Sequence, residues 1–349
     1  MKSLISSGVV GEKMNSIDDA ISNALKINMG FKPGESVGIV MQEWAPHLGE
    51  STKQAFERSR DLCNTMLQVY QSEGVDIVLL KYTPNEARNG ADATQDLYEA
   101  IGTKDIIFMP TVFSLTHTPF AIYQTGKGSR IASMPGFTLE MFDEDGPMNA
   151  DYEQLDKDTR QIADKLRESD YVRVTGENTY IIVQIDRNLV HASTGMLTQR
   201  GKKGNLPGAE AYAVPVHEGK SNGYITIPAG WGGEKPLLYK VTFQIANGRF
   251  TDAIGDSAEA QKYIDREVKP SIFGQPNFDV LAELGIGTNP KITADYITRR
   301  GWSTLVAEKI IKTAHFANGN SKSMGGQNDV RVHNDWVVPN VRTEFNYQP

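Results

Sequence analysis

Residues 36–41 (SVGIVM) and 75–82 (VDIVLLKY) are two short apolar stretches that flank an amphipathic one. Residues 51–73 carry apolar side chains at helical spacing, and Gly74 follows at the position where a left-handed C-cap ends a helix. A strand, a helix and a second strand in this order predict a βαβ unit with two parallel strands. This unit sets the fold class that we expect for the first half of the chain.

The same alternation of short apolar runs and amphipathic stretches continues to residue 188. Further helices are predicted at residues 85–102 and 151–169. Further strands are predicted at residues 105–110, 130–134, 171–175 and 180–186. We therefore predict an α/β N-terminal domain, residues 1–188, with a doubly wound and mostly parallel sheet. This half has no nucleotide-binding motif, because Gly126-Lys127-Gly128-Ser129 lacks the glycine spacing that such a motif needs.

Short strand-like pieces replace the long helices after about Leu189, and glycines cluster there. Ser221-Asn222-Gly223 and Asn247-Gly248 each lie between apolar runs, and Asn-Gly is a strong signal for a hairpin turn. We predict an α+β C-terminal domain, residues 189–349, with antiparallel strands.

Composition narrows the classes of partner. The 349 residues include 36 basic and 43 acidic side chains, a net charge of −7, which argues against nucleic acid as a partner. The single cysteine, Cys63, excludes an intrachain disulfide and a cysteine-based metal site. No apolar stretch approaches the ~18 residues of a membrane span, and residues 1–13 lack the apolar core of a signal peptide. We expect a cytoplasmic protein with no membrane partner.

Side chains that can hold a metal ion concentrate in the second half. His333-Asn334-Asp335 places two ligand types at i and i+2, which share a face of an extended segment. Glu283 lies within the apolar, glycine-rich residues 281–287 (LAELGIG), where an unpaired charge is costly. Glu210 follows a turn and opens a predicted strand. This set of imidazole and carboxylate groups suits a divalent metal.

Glu308 and His315 lie seven residues apart, a spacing that puts both on one face of a helix. We predict such a helix over residues 305–316. The alternative is that Glu308 is a surface carboxylate paired with Lys309 or Lys312.

Several segments, in chain order, resemble the motifs of the M29 aminopeptidases, the thermophilic or leucyl aminopeptidases of the aminopeptidase T and S type. In the second half these are residues 205–210 (NLPGAE), 281–290 (LAELGIGTNP), 308–309 (EK), 313–317 (TAHFA), 319–320 (GN), 325–326 (GG) and 333–335 (HND). In the first half, residues 34–39 (GESVGI) and 133–137 (SMPGF) also resemble the family. The similarity covers most of the chain.

The resemblance implies a two-domain metalloenzyme, usually a homodimer, that removes N-terminal residues from peptides or cleaves a related small amide with a metal-activated water. Glu283 bridges the metals in this interpretation, and Glu308 is the general base, with Glu283 as the alternative proton carrier. We expect one or two ions of zinc, cobalt or manganese. The implied ligands are Glu210, Glu283, His315, His333 and Asp335.

Two departures from the family keep an alternative open. Lys322 stands where the family has a tyrosine, and both the chain and its loop from His315 to His333 are shorter than usual. In length the chain is similar to the 2,5-dihydroxypyridine dioxygenases, a branch that holds one iron with two histidines and an aspartate. Glu283 replaces the first of those histidines, which favours a hydrolase.

The alternative function is an M29-like enzyme that acts on a non-peptide or modified-peptide substrate, including an iron(II) ring-cleaving dioxygenase for a hydroxylated pyridine. A non-enzymatic binding protein with a degenerate site is a third interpretation. Lys322 and Trp336, the latter next to Asp335, are expected to line the substrate pocket.

Overall fold

The computed structural model describes residues 16–349. The expectation that residues 1–13 are not a signal peptide concerns residues outside the described range. The helices are α1 Ile17–Asn23, α2 Lys53–Ser72, α3 Gln95–Ile101, α4 Pro119–Gly126, α5 Tyr152–Arg167, α6 Ala258–Tyr263, α7 Lys269–Phe273, α8 Ala294–Arg300 and α9 Thr304–Ala307. The strands are β1 Ser36–Gln42, β2 Asp76–Tyr82, β3 Ile106–Met109, β4 Arg130–Ser133, β5 Tyr171–Gly176, β6 Thr179–Ser193, β7 Lys203–Asn205, β8 Glu210–Pro215, β9 Asn222–Ile227, β10 Val241–Ala246, β11 Arg249–Gly255, β12 Leu281–Gly287, β13 Ala314–Gly319, β14 His333–Val338 and β15 Arg342–Glu344.

A parallel sheet organises the first half, in the strand order β2-β1-β3-β4-β7. Every pairing within it is parallel. The predicted βαβ unit is confirmed, since α2 connects β1 and β2 and buries Leu62, Met66 and Tyr70 against the sheet. The chain runs from β1 outward to β2 and then back to β3 on the other side of β1. The α/β class expected for this half is therefore confirmed.

The helix predicted at residues 85–102 is wrong over most of its length, because only Gln95–Ile101 is helical. Gly90 has a φ of 78°, which a right-handed helix does not accommodate. The Asn89 side chain accepts a hydrogen bond from the backbone N–H of Ser114 at 2.9 Å. A loop contact therefore replaces the first helical turns.

A curled antiparallel sheet organises the second half, in the order β11-β10-β9-β6-β8-β12-β13-β14, with β5 and β15 on a branch at β6. β6 connects its two parts, since residues 180–182 pair with β9 and residues 190–193 pair with β8. The predicted antiparallel class is confirmed. The division into residues 1–188 and 189–349 stays a prediction. The two sheets do not follow this boundary, since β5 and β6 belong to the antiparallel sheet and β7 belongs to the parallel sheet.

The two Asn-Gly sequences behave differently. Asn247 and Gly248 have φ values of 52° and 76° and form the turn between β10 and β11, as predicted. Asn222 and Gly223 do not form a turn. They open β9, where Gly223 pairs with Ile181, and an added Cβ at Gly223 would lie 2.2 Å from the Tyr180 carbonyl oxygen. The close approach of β6 and β9 therefore explains why residue 223 is a glycine.

Two large apolar cores support these sheets. One fills the parallel sheet and extends to α8 and α9, through Ile297, Val306 and Ala307. The other lies between the antiparallel sheet and α5, with Leu166, Phe243 and Trp336 among its members. The C-terminal helices α8 and α9 are thus anchored to the core of the first half. Within residues 16–349, no helix is both long and apolar enough to cross a membrane.

The only cysteine provides a test of the first core. Cys63 is buried on α2, and burial raises the pKa of its thiol to about 12. Since the thiolate is the reactive form, we expect no alkylation of the native protein by iodoacetamide at pH 8 and rapid alkylation in denaturant. Mass spectrometry before and after unfolding measures this difference. Stoichiometric labelling of the folded chain would contradict this packing.

Candidate metal centre

The predicted ligands lie on four adjacent strands, β8, β12, β13 and β14. Directly paired residues of antiparallel strands share a face, and the register pairs Glu283 with Ala317 and Ala317 with Asp335. The same register pairs Gly287 with Glu210 and Gly285 with His315. All the predicted ligands therefore project from one side of the sheet, which we call the metal face: Glu210, Glu283, His315, His333 and Asp335.

Small residues make room on the metal face. Gly285 and Gly287 alternate with Glu283 on β12, and Ala317 follows His315 by two residues on β13. An added Cβ at Gly285 would lie 2.0 Å from both Cε1 and Nε2 of His315, a distance that real atoms do not adopt. Gly285 therefore provides the space that the His315 imidazole occupies.

Glu283 lies at the centre of the metal face and is only 5% exposed. Its two carboxylate oxygens approach different imidazoles, with Oε1 3.1 Å from His315 Nε2 and Oε2 3.3 Å from His333 Nε2. His333 Nε2 is also 3.4 Å from Asp335 Oδ1. The extended conformation predicted for residues 333–335 is confirmed, and it places His333 and Asp335 on the same side of β14.

A backbone carbonyl group orients the His333 ring. Its Nδ1 lies 2.7 Å from the backbone oxygen of Asn320, which can only accept a hydrogen bond. Nδ1 therefore carries a proton, and Nε2 is the nitrogen directed at Glu283 and Asp335. This arrangement, with a carbonyl behind the ring, is typical of histidines that ligate metals.

Glu210 is held at the start of its strand by the backbone. Ala209, the residue before it, has a φ of 101°, a region that residues with a side chain rarely adopt. Hydrogen bonds fix this conformation, since the Ala209 N–H donates to the Ser193 carbonyl oxygen at 2.6 Å and the Thr288 N–H donates to the Ala209 carbonyl oxygen at 2.9 Å. As predicted, Glu210 follows a turn and opens a strand.

The helix predicted over residues 305–316 is wrong. Helix α9 ends at Ala307, and His315 lies on β13. Between them the chain turns at Lys312, which has a φ of 64°. Glu308 and His315 still converge, because the turn after α9 lies against the sheet, and Glu308 offers an oxygen to the same ligand group as His315 and Asp335.

Lys309 is the unexpected member of the cluster. Its side chain is 0% exposed, and its Nζ lies 2.6 Å from Glu210 Oε1 and 2.5 Å from Glu308 Oε1. The predicted pairing of Glu308 with Lys309 occurs, but in the interior rather than at the surface. The sequence carries no sign of this burial, because Glu-Lys pairs are common on exposed helices.

Burial and neighbouring charges set the acidity of this ion cluster. Burial raises the pKa of the Glu308 carboxyl to about 7. The positive charge of Lys309 opposes this shift, whereas the negative charges of Glu210 and Asp335 add to it. For Lys309, burial opposes the charged form, but Glu210 and Glu308 overcome it and raise the pKa of the ammonium. Lys309 therefore stays protonated at neutral pH.

The imidazoles and Glu283 are coupled in the same way. Burial opposes protonation of His315, but its hydrogen bond to Glu283 and the charges of Glu283 and Glu210 raise its pKa to about 9. Burial also opposes ionisation of Glu283, yet hydrogen bonds from His315 and His333 hold its pKa well below the ordinary value. When no other cation is bound, protonated imidazoles thus balance the negative charge of the carboxylates.

The donor set fits a divalent metal. Three overlapping groups each offer ligand atoms within 4.8 Å of one another: Glu210, Glu283 and His315; Glu283, His333 and Asp335; Glu308, His315 and Asp335. Two buried oxygens in these groups, Glu210 Oε2 and Asp335 Oδ1, have no hydrogen-bond partner among the described residues. Carboxylate and imidazole ligands suit zinc, manganese, cobalt and iron(II) alike.

The two predicted substrate residues lie elsewhere. Lys322 is an exposed residue whose Nζ pairs with Asp329 at 2.5 Å. Trp336 follows Asp335 and so points to the opposite side of β14, where it packs on Phe243 with ring centroids 4.8 Å apart. Its Nε1 donates to Asn318 Oδ1 at 2.8 Å. Strand alternation therefore places Trp336 in the core rather than on the metal face.

Other residues of the metal face were not predicted. Tyr212 lies two residues after Glu210 and is paired with Gly285, and its ring stacks on His191 at 4.9 Å. Burial and the charges of Glu283, Glu210 and Glu308 raise its pKa. The period of two along β8 is the signal that could have identified Tyr212.

The first half also approaches the metal face. Burial and the charges of Lys203 and His333 lower the pKa of His117, which follows β3. Lys203 opens β7, and its Nζ donates to the Thr116 carbonyl oxygen at 2.9 Å. The loop after β3 therefore lies beside the exposed edge of the metal face, at His333.

Comparisons with known proteins support this fold. The sequence matches no family model and no curated protein. The solved structure of 2,5-dihydroxypyridine dioxygenase from Pseudomonas putida KT2440 is similar with a TM-score of 0.69 and 14% identity, over 94% of this chain and 93% of that one. The structure of wild-type AmpT from Thermus thermophilus is similar with a TM-score of 0.57 and 13% identity, over 95% of each chain. The chain therefore shares the fold of these two solved structures, as the resemblance in the sequence implied.

The space beneath His315 can be tested with Gly285→Ala. The added methyl group must displace the imidazole, so we expect the variant to lose at least about tenfold in affinity for a divalent metal, the effect typical of lost ligand orientation. Isothermal titration with Zn²⁺ measures the change. Gly126→Ala is the matched control, because nothing lies within 4 Å of an added Cβ there. Equal affinities in both variants would contradict this role of Gly285.

The buried ion cluster can be tested with Lys309→Met. Removal of the ammonium leaves Glu210 and Glu308 buried without their partner, and breaking such a pair costs about 3–5 kcal/mol of the free energy of unfolding. Urea denaturation of metal-free protein measures this loss. Lys312→Met, an exposed position three residues later, should change stability by less than about 0.5 kcal/mol. A similar loss in both variants would show that Lys309 has no special electrostatic role.

Proposed function

We propose that this protein is a metal-dependent hydrolase of the aminopeptidase type, which removes N-terminal residues from peptides or cleaves a related small amide. The position of Glu283 carries the proposal. Its two oxygens face His315 and His333 separately, at 3.1 and 3.3 Å, which is the arrangement that a carboxylate needs to bridge two neighbouring ions. We expect Glu210 and His315 to hold one ion, and His333 and Asp335 the other.

The charge of the site favours cationic partners. Glu210, Glu283, Glu308 and Asp335 are four carboxylates, and Lys309 is the one lysine or arginine that forms an ion pair with them among residues 16–349. This excess of negative charge attracts divalent ions and the protonated amino terminus of a peptide. A free α-amino group therefore suits the site better than a free carboxylate does.

Glu308 is the residue best placed to move a proton. It is buried and lies within the same ligand group as His315 and Asp335. Lys309 holds one of its oxygens at 2.5 Å. A divalent ion, when bound, supplies a Lewis acid that acidifies a water and polarises the amide carbonyl. Glu308 would accept a proton from the attacking water and deliver it to the leaving nitrogen.

Metal content and peptidase activity test this proposal together. We expect the wild-type protein, purified without chelator, to contain one or two divalent ions per chain by elemental analysis and to release p-nitroaniline from amino-acid p-nitroanilides. Glu283→Ala should lose the metal, because it removes the shared ligand. Glu308→Gln should keep the metal and lose activity by about 10²-fold or more.

Glu259→Ala provides the matched control, since Glu259 is an exposed glutamate on α6. It should retain both metal and activity. Full metal content in Glu283→Ala would refute the site, whereas metal-replete protein without amide hydrolysis would refute the hydrolase.

A ring-cleaving iron(II) dioxygenase is the second candidate. The group of Glu283, His333 and Asp335 supplies three ligands for a single ion, and Lys309 already neutralises part of the charge of Glu210 and Glu308. The fold is also that of a 2,5-dihydroxypyridine dioxygenase. Oxygen consumption by the iron(II)-loaded protein with 2,5-dihydroxypyridine distinguishes this candidate.

A homodimer in the cytoplasm is a further part of our proposal and rests on the family resemblance and composition alone.

A further inference from the structure

We propose that Tyr212 is a catalytic residue, whose hydroxyl donates a hydrogen bond to the carbonyl oxygen of the amide that is cleaved. This inference rests on the proposed hydrolase and assigns a role to a residue that is not among the expected metal ligands. Those ligands come from β8, β12, β13, β14 and the turn after α9. Tyr212, on β8, carries the one hydroxyl side chain of these four strands.

The alternation of side chains along β8 places Tyr212 on the metal face. Its neighbours Ala211 and Ala213 are fully buried in the core on the other side of the sheet. Tyr212 lies opposite Gly285 on β12, and Gly285 lies opposite His315 on β13. Because Gly285 has no side chain, no side chain of β12 stands between Tyr212 and His315 in this row. The phenol therefore lies beside the expected ligands.

The Tyr212 ring is held from its other side by β6. His191 is paired with Tyr212 and stacks on it, with ring centroids 4.9 Å apart and an angle of 26° between the ring planes. The His191 ring is itself fixed, since its Nε2 lies 2.9 Å from the backbone oxygen of Met324. A donor that is held before the substrate arrives needs little reorganisation during the reaction, which is the property that makes such donors effective.

The Tyr212 hydroxyl forms no hydrogen bond within residues 16–349, although burial withdraws it from water. Burial raises the pKa of five other tyrosines, and the hydroxyl of each has a hydrogen-bond partner: Tyr70, Tyr82, Tyr98, Tyr152 and Tyr296. A hydroxyl removed from water without a partner is costly. Tyr212 is the exception among these tyrosines, and a substrate oxygen would supply the acceptor that it lacks.

The surroundings of this hydroxyl favour its protonated form. Burial is the largest cause, and the charges of Glu283, Glu210 and Glu308 also raise the pKa of Tyr212. The phenol is therefore a hydrogen-bond donor at neutral pH rather than a phenolate ligand. The action of three carboxylates of the cluster on one hydroxyl also agrees with its position beside them.

Amide hydrolysis creates the charge that such a donor stabilises. When the oxygen of a water forms a bond to the carbonyl carbon, the π electron pair of the carbonyl group moves to its oxygen. When that pair returns, the C–N bond breaks, and the leaving nitrogen takes the proton carried by Glu308. Tyr212 keeps its own proton and stabilises the negative oxygen between these two steps. Removal of one donor of this kind lowers kcat by about 10²–10³-fold in other hydrolases.

Tyr212→Phe tests the proposal, because it keeps the ring and its stacking on His191 and removes only the hydroxyl. We expect kcat for the best amino-acid p-nitroanilide to fall by about 10²-fold or more, with KM changed by less than about threefold, since the hydrogen bond matters most where charge develops.

Calorimetry provides a readout other than activity. A phosphinic dipeptide analogue of the same amino acid carries tetrahedral oxygens that mimic the reacting carbonyl, and it should bind Tyr212→Phe about tenfold or more weakly than the wild type. The corresponding amine, which has no carbonyl oxygen, should bind both proteins alike. Equal binding of this amine shows that the rest of the site is intact in the variant.

Tyr224→Phe is the matched control, because Tyr224 is 42% exposed and lies on β9, which supplies no ligand. It should keep kcat, and both variants should contain as much metal as the wild type. Unchanged kcat or unchanged analogue binding in Tyr212→Phe, with a wild type that cleaves the amide, would overturn this role and leave the hydrolase intact. Loss of metal from Tyr212→Phe would also overturn it, because the phenol would then be a ligand. A metal-replete wild type without amide hydrolysis would overturn both proposals.

Discussion

Four carboxylates, those of Glu210, Glu283, Glu308 and Asp335, lie together on one side of a sheet, and three of them are almost fully buried. Buried charges of like sign are costly, because they lose hydration and repel one another. Lys309 offsets part of this cost through two ion pairs, and protons on His315 and His333 offset more. The arrangement is therefore stable only with cations inside it, which is the property that makes it a candidate metal centre.

Both halves of the molecule contribute to this balance. The sheet supplies Glu210, Glu283 and the histidines, but Glu308 and Lys309 lie on the turn after α9. Val306, Ala307 and Ile310 surround that turn and pack in the core of the first half. The parallel domain thus holds the lysine against the antiparallel sheet, so the scaffold of the first half positions a charge that the second half needs.

The similarity to two solved structures at 13–14% identity fits this division of roles. A sheet that presents one face of alternating ligands and small residues can keep its architecture while individual ligands change. Only the residues of that face and the loops beside it then determine the chemistry. This is why the fold alone does not choose between the two proposed functions, and why the proposed hydrolase rests on Glu283, where the resemblance places a histidine in the dioxygenases.

Local sequence patterns were sufficient to predict much of the fold. The strands at residues 36–41, 75–82, 105–110 and 130–134 were predicted because each is a short apolar run between breakers, and a buried parallel strand needs little else. Residues 333–335 were predicted to share a face because that follows from the period of two alone. The helix expected at residues 85–102 and the hairpin expected at Asn222-Gly223 failed because contacts distant in sequence, with Ser114 and with Tyr180, replaced the local preference.

The sequence by itself thus determined the class of each half, the absence of cysteine ligands and the identity of six of the clustered side chains. Tertiary structure decided that Lys309 is buried, that Trp336 faces the core and Lys322 the solvent, and that Gly285 leaves room for His315. The physical reason is that each of these depends on strand register and on packing between the two halves. Such contacts join residues far apart in the chain and leave no periodic signal in it.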